Sequence, residues 1–229
     1  MLRDYRLFFR EYLRHFHHTG AIAPSSRWLA AALARYVDRG DGPRRVLEVG
    51  PGTGAVTREI VARLRRDDRL DLVELNERFA ERLRHRFEQE PRFAAVADRA
   101  RVIQSAVEEL ADDQPYDVIV SGLPLNNFSV ADVERILRTF ETLLAPGGTL
   151  SFFEYIGVRP ARALVSGPAE RERLRGVDRA LRQALVVGEF HRERIWPNLP
   201  PAYVHHLRVG AVDYRHSVDS VANANQRAG

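Results

Sequence analysis

The chain of 229 residues contains no cysteine and no lysine. The first absence excludes a disulfide scaffold, a thiolate nucleophile and a Cys-ligated zinc or iron–sulfur centre. The second excludes Schiff-base chemistry, pyridoxal attachment and a P-loop lysine. All 35 basic residues are therefore arginine, and against 31 acids they leave a formal charge of only +4. That balance permits contact with phosphate or an anionic membrane without demanding it. No apolar run approaches the roughly 18–20 residues needed to span a bilayer. The N-terminus also lacks the uncharged apolar core and cleavage site of a secretory signal. These absences lead to the expectation of a cytoplasmic, non-spanning protein. What is present is globular: 45% hydrophobic and 29% charged residues, enough for a core that needs no staple.

Residues 1–18 place Leu2, Tyr5, Phe8, Phe9, Tyr12, Leu13 and Phe16 on one broad helical face. Arg3, Arg6, Arg10 and Arg14 lie opposite, and Leu7 is the one misfit. This is a basic amphipathic helix, suited either to docking on its own domain or to lying in a membrane interface. Ser25 and Ser26 are candidate N-caps for a helix over about 27–38.

From Arg44 the pattern alternates strand and helix. Strands are expected at 45–49, 70–75, 101–104, 116–120 and 149–155, and helices at 55–65, 77–89, 130–144 and 169–186. A turn over 145–148 separates the fourth helix pattern from the fifth strand. Two late strands, 189–196 and 202–211, are separated by Pro197, Pro200 and Pro201, which suits an antiparallel hairpin. The order predicts an α/β fold, a mostly parallel sheet covered by helices on both faces. The expected organisation is an amphipathic segment 1–18, a domain 19–212 and a tail 213–229.

The strongest motif is Val46-Leu47-Glu48-Val49-Gly50-Pro51-Gly52-Thr53-Gly54. A strand runs directly into glycines and a helix start, which lets backbone turn sharply and lets a ligand approach closely. Glu74 ends the second strand, where an acid can take both ribose hydroxyls of a nucleoside cofactor. Gly50, Gly52 and Ala55 also satisfy a loose dinucleotide fingerprint. Glu48, the added Gly54 and the late hairpin tilt the choice. Together they resemble motif I of the class I S-adenosylmethionine methyltransferases, whose Rossmann-like sheet has seven strands with the last antiparallel. The resemblance sets Gly50, Gly52 and Gly54 against the methionine part of the cofactor, with Glu48 facing its amine and Glu74 binding its ribose. It places Ser105 and Ala106 beside the adenine, although Ser105 stands where the family often has an acid. Ser121 completes the cofactor set.

After the fourth strand comes Ser121-Gly122-Leu123-Pro124-Leu125-Asn126-Asn127-Phe128. Amino-directed methyltransferases often read Asn-x-Pro-Tyr or Asn-Leu-Pro-Tyr here. Leu123 and Pro124 keep the carbonyl-presenting scaffold, while Leu125 replaces the aromatic that stacks on a flat base. That favours an aliphatic amine over adenine or cytosine. The pieces 20–26, 121–125, 153–155 and 200–206, together with the glycine loop, resemble the bacterial phospholipid N-methyltransferases, which act on phosphatidylethanolamine, and close relatives that act on ornithine lipid. The family is peripheral to the inner face of the cytoplasmic membrane and binds anionic lipid through its N-terminal helix.

The resemblance implies an aminolipid substrate, an anionic membrane partner and no metal, nucleic-acid or protein partner. An RNA adenine methyltransferase and a non-catalytic lipid- or cofactor-binding module are the competing readings. Candidate catalytic groups are the Gly122 and Leu123 carbonyls as amine acceptors, Tyr155 as a headgroup-orienting residue, and His205 or His206 as proton acceptor. Glu154 alternates with Tyr155, so one of the two faces the site. Arg159 and Arg162 are candidates for a lipid phosphate or carboxylate, and Asn126 and Asn127 for helix caps.

Overall fold

The computed structural model describes residues 26–110 and 114–208. The expectations for the helix over 1–18, the motif before Ser26 and the tail 213–229 lie outside the described residues.

The described helices are α1 (Arg27–Leu33), α2 (Ala55–Val61), α3 (Glu77–Gln89), α4 (Pro91–Ala94), α5 (Val130–Leu143), α6 (Val158–Val165) and α7 (Pro168–Gly188). The strands are β1 (Arg45–Val49), β2 (Arg69–Val73), β3 (Ala100–Ile103), β4 (Tyr116–Ser121), β5 (Leu144–Tyr155), β6 (Glu189–Ile195) and β7 (Ala202–Arg208). They form one sheet in the order β3-β2-β1-β4-β5-β7-β6. The first five strands are mutually parallel, and β7 runs antiparallel between β5 and β6. The late hairpin therefore forms as expected, with its second strand inserted inside its first.

Each face of the sheet buries its own apolar cluster. One gathers Leu47, Val49, Ile119, Phe152, Phe140 and Val177 beneath α5 and α7. The other gathers Val46, Val118, Val120, Phe153, Leu29, Ile60 and Leu83 beneath α1, α2 and α3. The central strands are apolar on both faces because helices cover both.

Local chemistry explains the boundaries. The Ser26 side chain accepts from Leu29 N–H and starts α1, and Asn76 does the same for α3 through Phe79 N–H. Ser129, rather than Asn126 or Asn127, caps α5 by accepting from Asp132 N–H. The turn expected over 145–148 is instead part of β5, which pairs Leu144 with Tyr116 and resumes at Thr149 with Val118 after an irregularity. Gly147, at φ +77°, lets the strand absorb those extra residues. Helix α6 is not among the expected helices, and Pro160 lies in its first turn. Proline is tolerated in a first turn, where its missing N–H would have no intrahelical partner.

Candidate active site

The site is built at the carboxyl edge of the parallel strands, where β1, β2 and β4 hand over to loops. Gly50, Gly52 and Gly54 all have positive φ, at 69°, 54° and 78°. An L side chain avoids that region, so the three glycines permit the turn from β1 into α2. Gly50 N–H donates to Val73 O, and Gly54 N–H closes onto Pro51 O. A Cβ at Gly52 would meet nothing within 4 Å, so this backbone borders open space.

Glu74 is buried just past β2. Its two oxygens accept from Gly52 N–H at 2.9 Å and from Asn76 N–H at 2.8 Å. Burial raises its pKa, and these backbone donors oppose the rise. Each oxygen keeps a further lone pair for a hydroxyl donor.

Glu48 is fully buried, and among the described residues neither of its oxygens has a hydrogen-bond partner. Thr57 lies beside it, but the Thr57 hydroxyl is also left without a partner of ordinary geometry. Burial pushes the Glu48 carboxyl up to about 8; the Glu74 charge adds to the rise, while Thr57 and Arg86 counter it. A buried acid with free acceptors carries a desolvation cost that a cationic ligand would relieve.

Arg86 is a site residue that the sequence reading missed. It is buried on α3 and donates to the carbonyls of Thr53 and Gly54 at 2.9 and 3.1 Å. A Cβ on Gly54 would fall 2.4 Å from its guanidinium. Arg86 clamps the glycine loop from below. The signal was present: it lies three residues after Leu83, on the apolar face of α3.

The second loop interlocks with the first. Gly122 N–H donates to Val49 O at 2.8 Å. A Cβ at Gly122 would lie 2.6 Å from Gly50 O, and one at Gly50 would lie 2.6 Å from the Leu123 side chain. The buried Ser121 hydroxyl accepts from Leu123 N–H at 3.3 Å. The Leu123 carbonyl accepts from Leu125 N–H at 3.0 Å across Pro124, whereas the Gly122 carbonyl takes none of the loop's backbone hydrogen bonds. Of the two expected amine acceptors, Gly122 is thus the freer. Leu125 is buried in the core with Leu123 and Phe128. It does not stand at the site surface in the place of a stacking aromatic. Just past β3, Ser105 has a buried hydroxyl without a partner among the described residues, and Ala106 is buried beside it.

The remaining candidates fall on opposite faces of the sheet. Tyr155 pairs with Ala202 and packs edge-on against Phe153 at 5.1 Å, on the α1 face. Burial pushes its phenol up to about 12. His205 lies on the other face, stacked on Phe152, with Nδ1 2.6 Å from Glu189. Its Nε2 is 3.8 Å from Glu154. The structure brings His205 to Glu154 and does not bring it to Tyr155. His206 is on the Tyr155 face, between Ser151 at 2.8 Å and Glu193 at 3.2 Å. Burial lowers its pKa to about 4. Arg159 pairs with Glu154 at 2.8 Å and Asp178 at 3.2 Å, and Arg162 with Glu170 at 3.0 Å and Asn127 at 3.2 Å. Both arginines already serve carboxylates, so neither offers an unpaired charge to a lipid phosphate.

This arrangement suits an α/β fold that takes a nucleoside cofactor at the ends of β1 and β2. S-adenosylmethionine fits the residues present. Glu48 would hold its ammonium, Glu74 has spare lone pairs for its ribose hydroxyls, Ser105 would lie toward its base, and the open side of Gly52 leaves room for its approach.

Comparison with known proteins supports S-adenosylmethionine as the cofactor. A family model described as "Methyltransferase domain" matches residues 47–150. The chain is 31% identical over 150 residues to the ornithine lipid N-methyltransferase of Singulisphaera acidiphila, covering 66% of this chain and 77% of that protein. It is 36% identical over 123 residues to the tRNA1(Val) (adenine(37)-N6)-methyltransferase of Aeromonas hydrophila, covering 47% and 50%. Among solved structures, N-methyltransferase NodS from Bradyrhizobium japonicum in complex with S-adenosyl-L-homocysteine superposes with a TM-score of 0.58 at 17% identity, covering 80% of this chain and 87% of that one. The O-methyltransferase TomG from Streptomyces achromogenes gives 0.59 at 19%, covering 86% of each. The chain belongs to the S-adenosylmethionine-dependent methyltransferase family. Its fold is the Rossmann-like one of the class I enzymes. Among the described residues no helix is long and apolar enough to cross a membrane, and no cluster of His, Asp or Glu forms a metal site.

Proposed function

We propose that the protein methylates the primary aliphatic amine of a membrane lipid headgroup, working from the cytoplasmic face of the membrane. The observation that carries this reading is the 31% identity to an ornithine lipid N-methyltransferase along 77% of its length. The headgroup is phosphatidylethanolamine or ornithine lipid, which share that amine.

S-adenosylmethionine supplies an electrophilic methyl group on a sulfonium. The chain's task is to hold an amine nitrogen in line with that methyl, with its lone pair free. The Gly122 carbonyl, fixed by the Gly122–Val49 bond, accepts from one amine N–H and orients the nitrogen. Partial burial disfavours the charged ammonium. Tyr155 stays protonated at neutral pH, so it serves as a hydrogen-bonding and packing group rather than a base.

The similarity to a tRNA adenine methyltransferase keeps a second reading in play. It is weakened at Leu125, which is aliphatic and buried and so presents no flat face to a base. The test is incubation with methyl-labelled S-adenosylmethionine and, separately, phosphatidylethanolamine vesicles, ornithine lipid vesicles and a tRNA transcript, with products identified by mass. Label in either aminolipid is the expected result. Label in tRNA and none in lipid would overturn the proposal.

A further inference from the structure

Both tryptophans of the chain are exposed at one edge of the sheet. Trp196 is 63% exposed, Trp28 49% and Leu199 77%. Trp196 and Leu199 sit in the β6–β7 connection over 196–201, Trp-Pro-Asn-Leu-Pro-Pro, which carries no charge. Three hydrogen bonds fix where it lies. Ile156 N–H donates to Pro201 O at 2.8 Å, tying the connection to the tip of β5 beside Tyr155. Asn198 accepts from Ser26 N–H at 3.1 Å and donates to Pro200 O at 2.7 Å, setting Trp28, on the first turn of α1, next to it. On the other side of the same edge, α6 follows the tip of β5, and Arg162 ties it to the turn after Pro124. Leu164 and Val165 there are 86% and 87% exposed.

We propose that these residues form a rim that docks the carboxyl edge of the sheet on an anionic lipid bilayer, with the methyl-transfer site opening between its two sides. Singly exposed apolar residues are ordinary, but five large ones at one functional edge mark an interaction surface. Three observations commit the occupant to a bilayer. Tryptophan, with its apolar body and polar N–H, suits the headgroup level of a membrane. The Arg27 guanidinium lies 4.5 Å over the Trp28 ring, joining a cation to the apolar surface as an anionic interface requires. Ser26, which the basic amphipathic segment 1–18 precedes in the sequence, is held at this rim by Asn198. A lipid held there presents its headgroup to the site without leaving the membrane. The inference rests on a lipid being the substrate.

Because both tryptophans belong to the rim, their emission reads it directly. The full chain, and its W28F and W196F variants that leave one tryptophan each, are mixed with phosphatidylglycerol–phosphatidylethanolamine vesicles. Each tryptophan should shift to the blue, lose acrylamide quenching and be quenched by brominated acyl chains. The double variants W196S/L199S and L164S/V165S should each lower vesicle partitioning about tenfold. Their melting temperature and S-adenosylmethionine affinity should be unchanged. Vesicle-bound protein whose tryptophans stay in water would overturn the rim. So would tryptophans already shielded without vesicles, by residues 1–25 or by a second copy. The substrate reading fails separately: a rim that docks while no lipid is methylated sinks that reading and leaves the rim standing.

Discussion

A Cβ placed on Gly122 falls 2.6 Å from the carbonyl oxygen of Gly50, so the loop after β4 and the loop after β1 can meet only through two glycines. The contact joins the proposed amine acceptor to the glycine loop. Gly122→Ala must move backbone rather than a flexible side chain. It should cost about 1–3 kcal/mol of stability. It should also lower turnover about tenfold to hundredfold through misplacement. Gly147→Ala is the control: φ there is +77°, with open space and no contact with the site. It should cost about 1–2 kcal/mol and leave cofactor affinity intact. Thermal melts and turnover assays separate the two. Equal turnover in both variants would show that the interlock does not position the site.

Glu48 is the acid on which pH should act. Its carboxyl, ordinarily at 4.5, is pushed up to about 8 by burial. Between those values the folded state holds a proton that the unfolded state has released. Stability from this group is full below pH 4.5 and is lost as pH rises through 8. Glu48→Gln should flatten that decline, so the variant melts higher than the parent at pH 8.5. A cationic cofactor should expel the proton at pH 7, about one per molecule bound. Titration in two buffers of different ionisation heat reads that number, and Glu48→Gln should release none.

Glu74→Ala should cut S-adenosylmethionine affinity by about 1.5–3 kcal/mol, through loss of a charged acceptor. It also frees Gly52 N–H, which Glu74 holds at 2.9 Å. Vesicle binding should not change. Unaltered cofactor binding in titration calorimetry would remove Glu74 from the site.

Leu125→Tyr is a test of burial. Leu125 is 1% exposed among Leu123 and Phe128. A phenol there overpacks the core and should lower stability by about 1–3 kcal/mol without conferring activity on a nucleic-acid base. An unchanged melting temperature would show that the side chain has room to turn outward.

His206 should make the fold acid-sensitive. Its pKa falls from 6.5 to about 4 because burial penalises the charged ring. Below pH 6.5 the unfolded chain binds a proton that the folded one refuses, so stability falls from pH 6.5 to 4 and levels off below. His206→Gln should lose less between pH 7 and pH 5 than the parent does. Thermal melts across that range check the difference.

The sequence by itself determined the order of the parallel strands, the late hairpin and the glycine turn from β1 into α2, but not α4, α6 or the course of β5 through 145–148. Apolar runs bounded by turn residues marked the parallel strands, and the glycines after Val49, with Glu48 before them and Glu74 at the next strand end, are a local code read along one chain. Local codes survive because a φ of +54° or a strand-end acid depends on few neighbours. Tertiary structure alone decided what depends on distant partners. It set β7 between β5 and β6, which placed His205 with Glu154 and Glu189 on one face and Tyr155 on the other. It buried Leu125, engaged Arg159 and Arg162 with carboxylates, and put Arg86 under the glycine loop. It also gathered Trp28 and Trp196, 168 positions apart, at one edge through the Ser26–Asn198 bond. Periodicity fixes which side of an element faces inward, but the partner waiting there comes from another part of the chain and is chosen only when the layers pack.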